Sequence, residues 1–302
     1  MNRFVMSSLL LGTLGGIALA DDQPTHAAAA AATDPSAGAA PTGAAAVEAK
    51  VPAARWPTAV FDRPLTLPAA LALVGADFVV AEITTVTVTP TGAMTTHATG
   101  RLLDAAVGYG VTDDFEINTL TPTYAIRTSP DGSAKGPLDL GIGYKLLRGA
   151  IDGKLEVIAR AVIGYDLDAS AVRPLRLGVQ VQHNLTPKLA IISHDLGTGN
   201  AGISIALDGT VKPVYLTLPV GIGFQATPVL WIEADTLLFP SIKISSSATT
   251  TIADVTPLFL TGIYNAMAGH LDLLGYVGFG DLQHAGDSFS LGVGFRYYPG
   301  RV

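Results

Sequence analysis

The chain of 302 residues contains no cysteine. A disulfide framework, a thiolate metal site and a lipid-modified N-terminal cysteine are therefore all excluded. Charge is scarce as well: charged residues make up 14% of the chain, while hydrophobic residues make up 49%. A soluble domain usually carries about 25% charged residues, so much of this chain needs somewhere apolar to sit. Long apolar helices are also missing. Beyond the first twenty residues, the nearest approach to the roughly 20 apolar residues a membrane helix needs is the charge-free run 213–232. Pro213, Pro219 and Pro228 interrupt it, with Gly221 and Gly223, and Val214, Leu216, Leu218, Val220, Ile222 and Phe224 recur at period two. That pattern reads as two strands around a turn, with a bulge at Pro219, which cannot donate a ladder hydrogen bond. A basic excess is absent too. The formal charge is −7, which argues against nucleic acid as a partner.

What is present is alternation. From Ser288 to Tyr298, Phe289, Leu291, Val293, Phe295 and Tyr297 fall on one face, and Ser290, Gly292, Gly294 and Arg296 on the other. The same division recurs upstream. Leu138, Leu140, Ile142, Tyr144 and Leu146 oppose Asp139, Gly141, Gly143 and Lys145; Leu175, Leu177, Val179 and Val181 oppose Arg176, Gly178, Gln180 and Gln182. Leu155, Val157, Ala159, Ala161, Ile163 and Tyr165 oppose Glu156, Arg160 and Gly164, and Leu103, Ala105, Val107 and Tyr109 oppose Asp104, Gly108 and Gly110. A soluble sandwich uses the same pattern with its apolar face inward. Here the polar face holds the charges and many glycines while overall charge is low, so the apolar face is the exposed one. This is the signature of a transmembrane barrel.

Read in order, residues 1–20 have the form of a signal peptide, with Arg3 before an apolar stretch and Ala18-Leu19-Ala20 before Asp21. Residues 21–62 read as a periplasmic tail or linker. Its Ala-rich part, mixed with Pro, Gly, Ser and Thr, offers no apolar face to dock. Residues 63–302 then form the expected domain, an all-β, antiparallel, up-and-down barrel. Strands are expected near 70–83, 99–110, 115–126, 138–147, 154–165, 174–183, 188–196, 213–224, 228–238, 255–266, 270–280 and 288–298. These are about twelve, and an even count brings both ends of the barrel to one side. Short turns at 111–114, 148–153, 184–187, 226–227 and 267–269 alternate with longer connections at 84–98, 127–137, 197–212 and 239–254. Short periplasmic turns and long outer loops give this rhythm, placing both termini in the periplasm.

The hairpin from Val107 through Gly110-Val111-Thr112-Asp113-Asp114-Phe115-Glu116 to Ile117 resembles the repeated periplasmic hairpins of proteobacterial outer-membrane β-barrel proteins, including porin- and transporter-like ones. Arg63 to Pro68 resembles the start of their first strand. Ser288 to Tyr298 resembles their closing strand, although Pro299-Gly300-Arg301-Val302 follows the aromatic. The resemblance implies an outer-membrane location in a Gram-negative envelope. It also implies recognition by barrel-assembly machinery through Phe289, Leu291, Val293, Phe295, Tyr297 and Tyr298, and contact with outer-membrane lipid. It carries no catalytic motif.

Residue constellations that suggest chemistry fail on context. Gly197-Thr198-Gly199-Asn200-Ala201-Gly202 matches a dinucleotide fingerprint but precedes an alternating strand rather than a helix, so it reads as an outer loop. Ser193, His194 and Asp195 are hydrolase residue types, yet strand neighbours point to opposite faces. No spacing among the six histidines suggests a metal site, and no cofactor or catalytic residue is expected. The informative set is the polar face: Asp104, Glu116, Asn118, Asp139, Lys145, Glu156, Arg160, Arg176, Gln180, Gln182, Gln225, Glu233, Asp272 and Arg296. Such charges must pair or stay wet. They either form an ion-pair network filling a narrow lumen or line a water-filled path on which the excess of carboxylates weakly favours cations. Intervening glycines leave space for a path. The reading is a barrel passing small solutes by passive diffusion; its rivals are a plugged structural or interaction barrel presenting outer loops and, third, a barrel-embedded hydrolase.

Overall fold

The structure, a computed structural model, describes residues 56–300 except 90–91, 120–125, 130–131, 136, 168–169, 174, 194–201, 208–212, 244–256, 281, 283–284 and 286–287. The expected signal peptide, the expected tail up to residue 55, His194, Asp195 and most of the glycine motif lie outside the described residues.

Sixteen strand segments form a single antiparallel sheet. In chain order these are β1 (Ala72–Thr89), β2 (Gly92–Gly110), β3 (Phe115–Asn118), β4 (Ile126–Ser129), β5 (Gly132–Lys135) and β6 (Pro137–Gly149). The single-turn α1 (Ala150–Gly153) leads into β7 (Leu155–Asp166), β8 (Ala171–Val172), β9 (Leu175–Asn184), β10 (Leu189–Ile192) and β11 (Ile203–Leu207). The wall ends with β12 (Pro213–Thr227), β13 (Leu230–Lys243), β14 (Leu258–Met267), β15 (Leu271–Phe279) and β16 (Ser288–Tyr297). Four pairs of segments are successive parts of one stave: β3 with β4, β5 with β6, β8 with β9, and β10 with β11. The result is a twelve-stave barrel. It closes where β16 pairs with β1, from Val74↔Tyr297 to Ile83↔Ser288.

Alternation decides what each face does. The large apolar residues named above point outward and remain exposed: Leu140 at 53%, Tyr144 at 54%, Leu291 at 50% and Val293 at 62%. The interior face buries Asp77, Asp104, Glu116, Asp139, Glu233 and Asp272 instead. Leaving so much apolar surface in water would cost about 25 cal/mol per Å², and facing it to lipid removes that cost. The architecture is that of a transmembrane β-barrel of the outer-membrane type. Tyr109, Tyr144, Tyr264 and Tyr297 lie outward near the short-turn end and place aromatic rings where the wall meets an interface.

All four longer connections differ from expectation; in the last, 239–254, β13 continues to Lys243. Residues 84–98 are not a loop: the β1–β2 ladder runs on to Thr89↔Gly92, because the Thr- and Val-rich alternation there is itself good strand sequence. Within 127–137, β4 and β5 make a hairpin closed at Ser129↔Gly132. Residues 197–212 are not a single outer loop, since β11 is wall and pairs with both β9 and β12. β10 ends opposite Gln182, and β11 begins opposite Val179. The two segments thus continue one stave along β9. Ser193 closes the break by donating its N–H to the Val181 carbonyl and accepting the Val181 N–H on Oγ at 2.9 Å. At Pro219 the β12–β13 register shifts, as the missing N–H requires.

Candidate functional site

Charges on the interior wall are seated on glycine. Glu116 on β3 and Arg160 on β7 both lie directly opposite Gly143 on β6, one from either side. The two form an ion pair across it. A methyl group at Gly143 would collide with the guanidinium and lie 3.0 Å from the carboxylate. Arg160 also faces Gly178 on its other side and donates Nε to Gln180 at 3.0 Å, while Asn118 donates to Glu116 at 2.7 Å. Asp139 lies opposite Gly164 and pairs with Arg176 at 2.6 Å and Arg173 at 3.6 Å. Asp77 lies opposite Gly294, Arg296 lies opposite Gly75, and the two meet in a bidentate pair at 2.7 and 2.9 Å. The Tyr276 ring covers Gly292 and the Trp231 ring covers Gly223. The glycines thus do not add free space, as expected of them. They let long side chains lie flat along the wall and reach partners across it.

The second feature was not expected: Arg63 to Pro68, which resemble the start of a first strand, precede β1, which begins at Ala72. Residues 56–71, a strap upstream of the wall, run along the inside of the barrel at its short-turn end. The strap's backbone is held by interior side chains: Phe61 N–H donates to Gln225 at 3.0 Å, Leu65 N–H to Glu156 at 3.2 Å and Leu67 N–H to Glu116 at 2.6 Å. Arg160 donates to the Leu65 carbonyl at 3.3 Å. Arg63, itself buried, forms a two-pronged pair with Asp272 at 2.5 and 2.9 Å, and Asn265 donates to the same carboxylate at 2.8 Å. The guanidinium lies 5.4 and 5.5 Å from the Trp56 and Tyr298 ring centres, whose rings are 5.3 Å apart. Burial alone would lower the Arg63 pKa, but its contacts with Asp272 and Tyr298 together raise it and the group stays charged. Burial pushes the Tyr298 phenol above its ordinary range, so it stays neutral.

Two apolar clusters anchor the strap. Val60 and Phe61 pack on Ala190, Ile192, Trp231, Ile263 and Leu274. Leu67 and Leu71 pack with Tyr298, beside Trp56 and Leu73. Between these anchors the strap passes the β6–β7–β9 wall with polar contacts, and there a cavity of about 240 Å³ remains, reaching Arg148, Lys154, Glu156 and Gln182.

The sequence-derived residues thus divide by place. Glu116, Glu156, Arg160, Gln182, Gln225 and Asp272 hold the strap or border it. Asp104, Asn118, Asp139, Arg176, Gln180, Glu233 and Arg296 lie on the interior wall, Glu233 accepting Trp231 Nε1 at 3.0 Å. Lys145 pairs with Asp114 at 2.8 Å at the short-turn rim. Phe289, Leu291, Val293, Phe295 and Tyr297 lie on the outer face, whereas Tyr298 is turned inward under the strap. Asp77, Asp235, Arg63, Arg148 and Arg173 join the interior set. The described interior segment already begins at Trp56, upstream of the boundary expected at residue 63.

Comparison of the chain with protein-family models and with curated proteins returns no match. Among solved structures it is similar to the KdgM porin, with TM-score 0.45 and 10% identity over 74% of this chain and 98% of that one. It is similar to the NanC porin at 0.44 and 12%, over 76% and 99% of the two chains. An outer membrane channel from Pseudomonas putida F1 aligns at 0.46 and 14%, over 77% and 97%.

Proposed function

We propose that the chain is an outer-membrane barrel that passes small solutes by passive diffusion through a charged lumen, with both termini in the periplasm. The observation that carries this reading is the seating of interior charges on glycine. A side chain laid along the wall meets its ion-pair partner there without crossing the bore, whereas a filled barrel would send long side chains toward its axis. Among the described interior residues, Asp77 and Asp235 join the carboxylates and Arg63, Arg148 and Arg173 join the cations, so the acidic excess narrows to a single charge and favours cations only slightly. Outer-membrane lipid meets the apolar exterior, and barrel-assembly machinery meets the closing strand before Tyr298 is covered. The test is single-channel recording from the refolded chain in a planar bilayer, with insertion verified by a heat-dependent gel shift. Discrete ohmic steps with a mild cation preference are expected.

The strap favours a second reading, a barrel plugged at its periplasmic end that serves through its outer loops. Electrical silence of a chain whose insertion is verified would replace diffusion with that closed barrel.

A further inference from the structure

Resting on that reading, we infer that solute leaves the lumen off-axis, through the cleft between the strap and the β6–β7 hairpin, and that Arg148 and Glu156 set the charge preference of this exit. Three observations converge. First, the strap is fixed by apolar packing on two sides, toward β10–β15 through Val60 and Phe61 and toward β2 and Tyr298 through Leu67 and Leu71. Water-excluding contacts close those sides. Second, the stretch between the anchors touches the wall through polar atoms, and the cavity there runs from the rim at Gly149 and Gly153 inward to Glu156 and Gln182, which face the lumen. At about 240 Å³ it has room for several waters, each taking roughly 30 Å³ in the liquid. Third, the wall is bent to place a charge in it. Strict alternation from Lys145 would turn Leu147 inward and Arg148 outward. Instead the β6–β7 register shifts between Lys145 and Leu147, so Leu146 and Leu147 are both exposed and Arg148 stands opposite Glu156. A bulge that re-aims a side chain is a built feature of a sheet rather than a defect in it. On the wall side the cleft is thus bordered by Glu156 and Arg148 facing each other, with Asp62 and Arg63 on the strap side and Lys154 at its mouth.

The absence of native cysteine makes the test clean. Lys154→Cys places a thiol at the mouth of the cleft. Ala268→Cys places one on the exposed β14–β15 turn, across the barrel. Each refolded chain is coupled in solution to a bulky polyethylene-glycol maleimide and then recorded in a planar bilayer. Coupling at position 154 is expected to remove most of the current, and coupling at 268 to leave it. Glu156→Gln should shift the reversal potential in a salt gradient toward anions, and Arg148→Gln toward cations. Full current through the chain labelled at 154, or equal block from both positions, overturns the exit. So does a reversal potential that neither substitution moves. Absence of current before any labelling is a different result: it sinks the channel reading, and the exit with it.

Discussion

Gly143 has no side chain, and that is why Glu116 and Arg160 can meet across a stave. The polar face of β6 was legible in the sequence, and so was the presence of glycine on it. What lies opposite each glycine was not legible, because inter-stave register is not written in any one strand. The same glycines therefore read as empty space when they are seats for neighbouring charges. Gly143→Val should separate the pair and leave both charges buried, costing on the order of 3 kcal/mol. Urea unfolding of the refolded barrel, followed by the gel shift, measures this; an unchanged midpoint would show that the pair forms without its seat. Tyr298 supports a second prediction at this scale. Burial raises its pKa in the folded state above the ordinary value of about 10. The folded state then binds the phenolic proton more tightly than the unfolded state. Its contribution is fully present below pH ~10 and is lost as pH rises from there toward the folded-state value. Alkaline titration should loosen the packing around Trp56, and Tyr298→Phe should remove that step. An identical alkaline transition in the phenylalanine variant would assign it to another group.

At the scale of the element, the outward–inward assignment of β6, β7, β9 and β16 followed from period-two alternation alone, because one face meets an apolar phase and the other does not. Two kinds of element escaped it. β1 and β2 extend through residues expected to loop, since a hairpin rich in Val and Thr keeps its ladder beyond the span the alternation marked. The bulge in β6 is invisible as a pattern, because Leu146 and Leu147 are equally apolar and either extends the run. It nevertheless decides which way Arg148 points. Deleting Leu146 should remove only the extra residue: Lys145 and Arg148 still face inward, with Leu147 between them facing out. The shortened chain should refold with its gel shift intact and with the reversal potential of the parent. A deletion that abolishes refolding would mean that the bulge also sets the bend of the wall.

For the whole molecule, the consequential contact joins residues far apart in sequence, Arg63 to Asp272, and no local pattern could announce it. Barrel closure itself was legible, through the even number of alternating strands and the closing strand. The occupied floor was not, because residues 56–71 carry neither strand nor helix periodicity and take their shape from the wall around them. Wall and strap are held by different forces. The wall is a closed hydrogen-bonded ladder from β1 to β16, complete without the strap. The strap depends on two apolar anchors and on the Arg63–Asp272 pair, buried beneath Trp56 and Tyr298. The chain has two tryptophans; Trp56 is in the strap, and Trp231 packs against strap residue Phe61 with ring centres 6.4 Å apart. Tryptophan emission therefore reports the floor, while the heat-dependent gel shift reports the wall. Arg63→Ala leaves Asp272 without its guanidinium and should destabilise the docked strap by about 3 kcal/mol. The expected outcome is a red-shifted emission transition at lower urea, with the gel-shift transition nearly unmoved. If both transitions fall together, strap and wall form one cooperative unit, and the floor is part of what keeps the barrel closed rather than a segment docked within it.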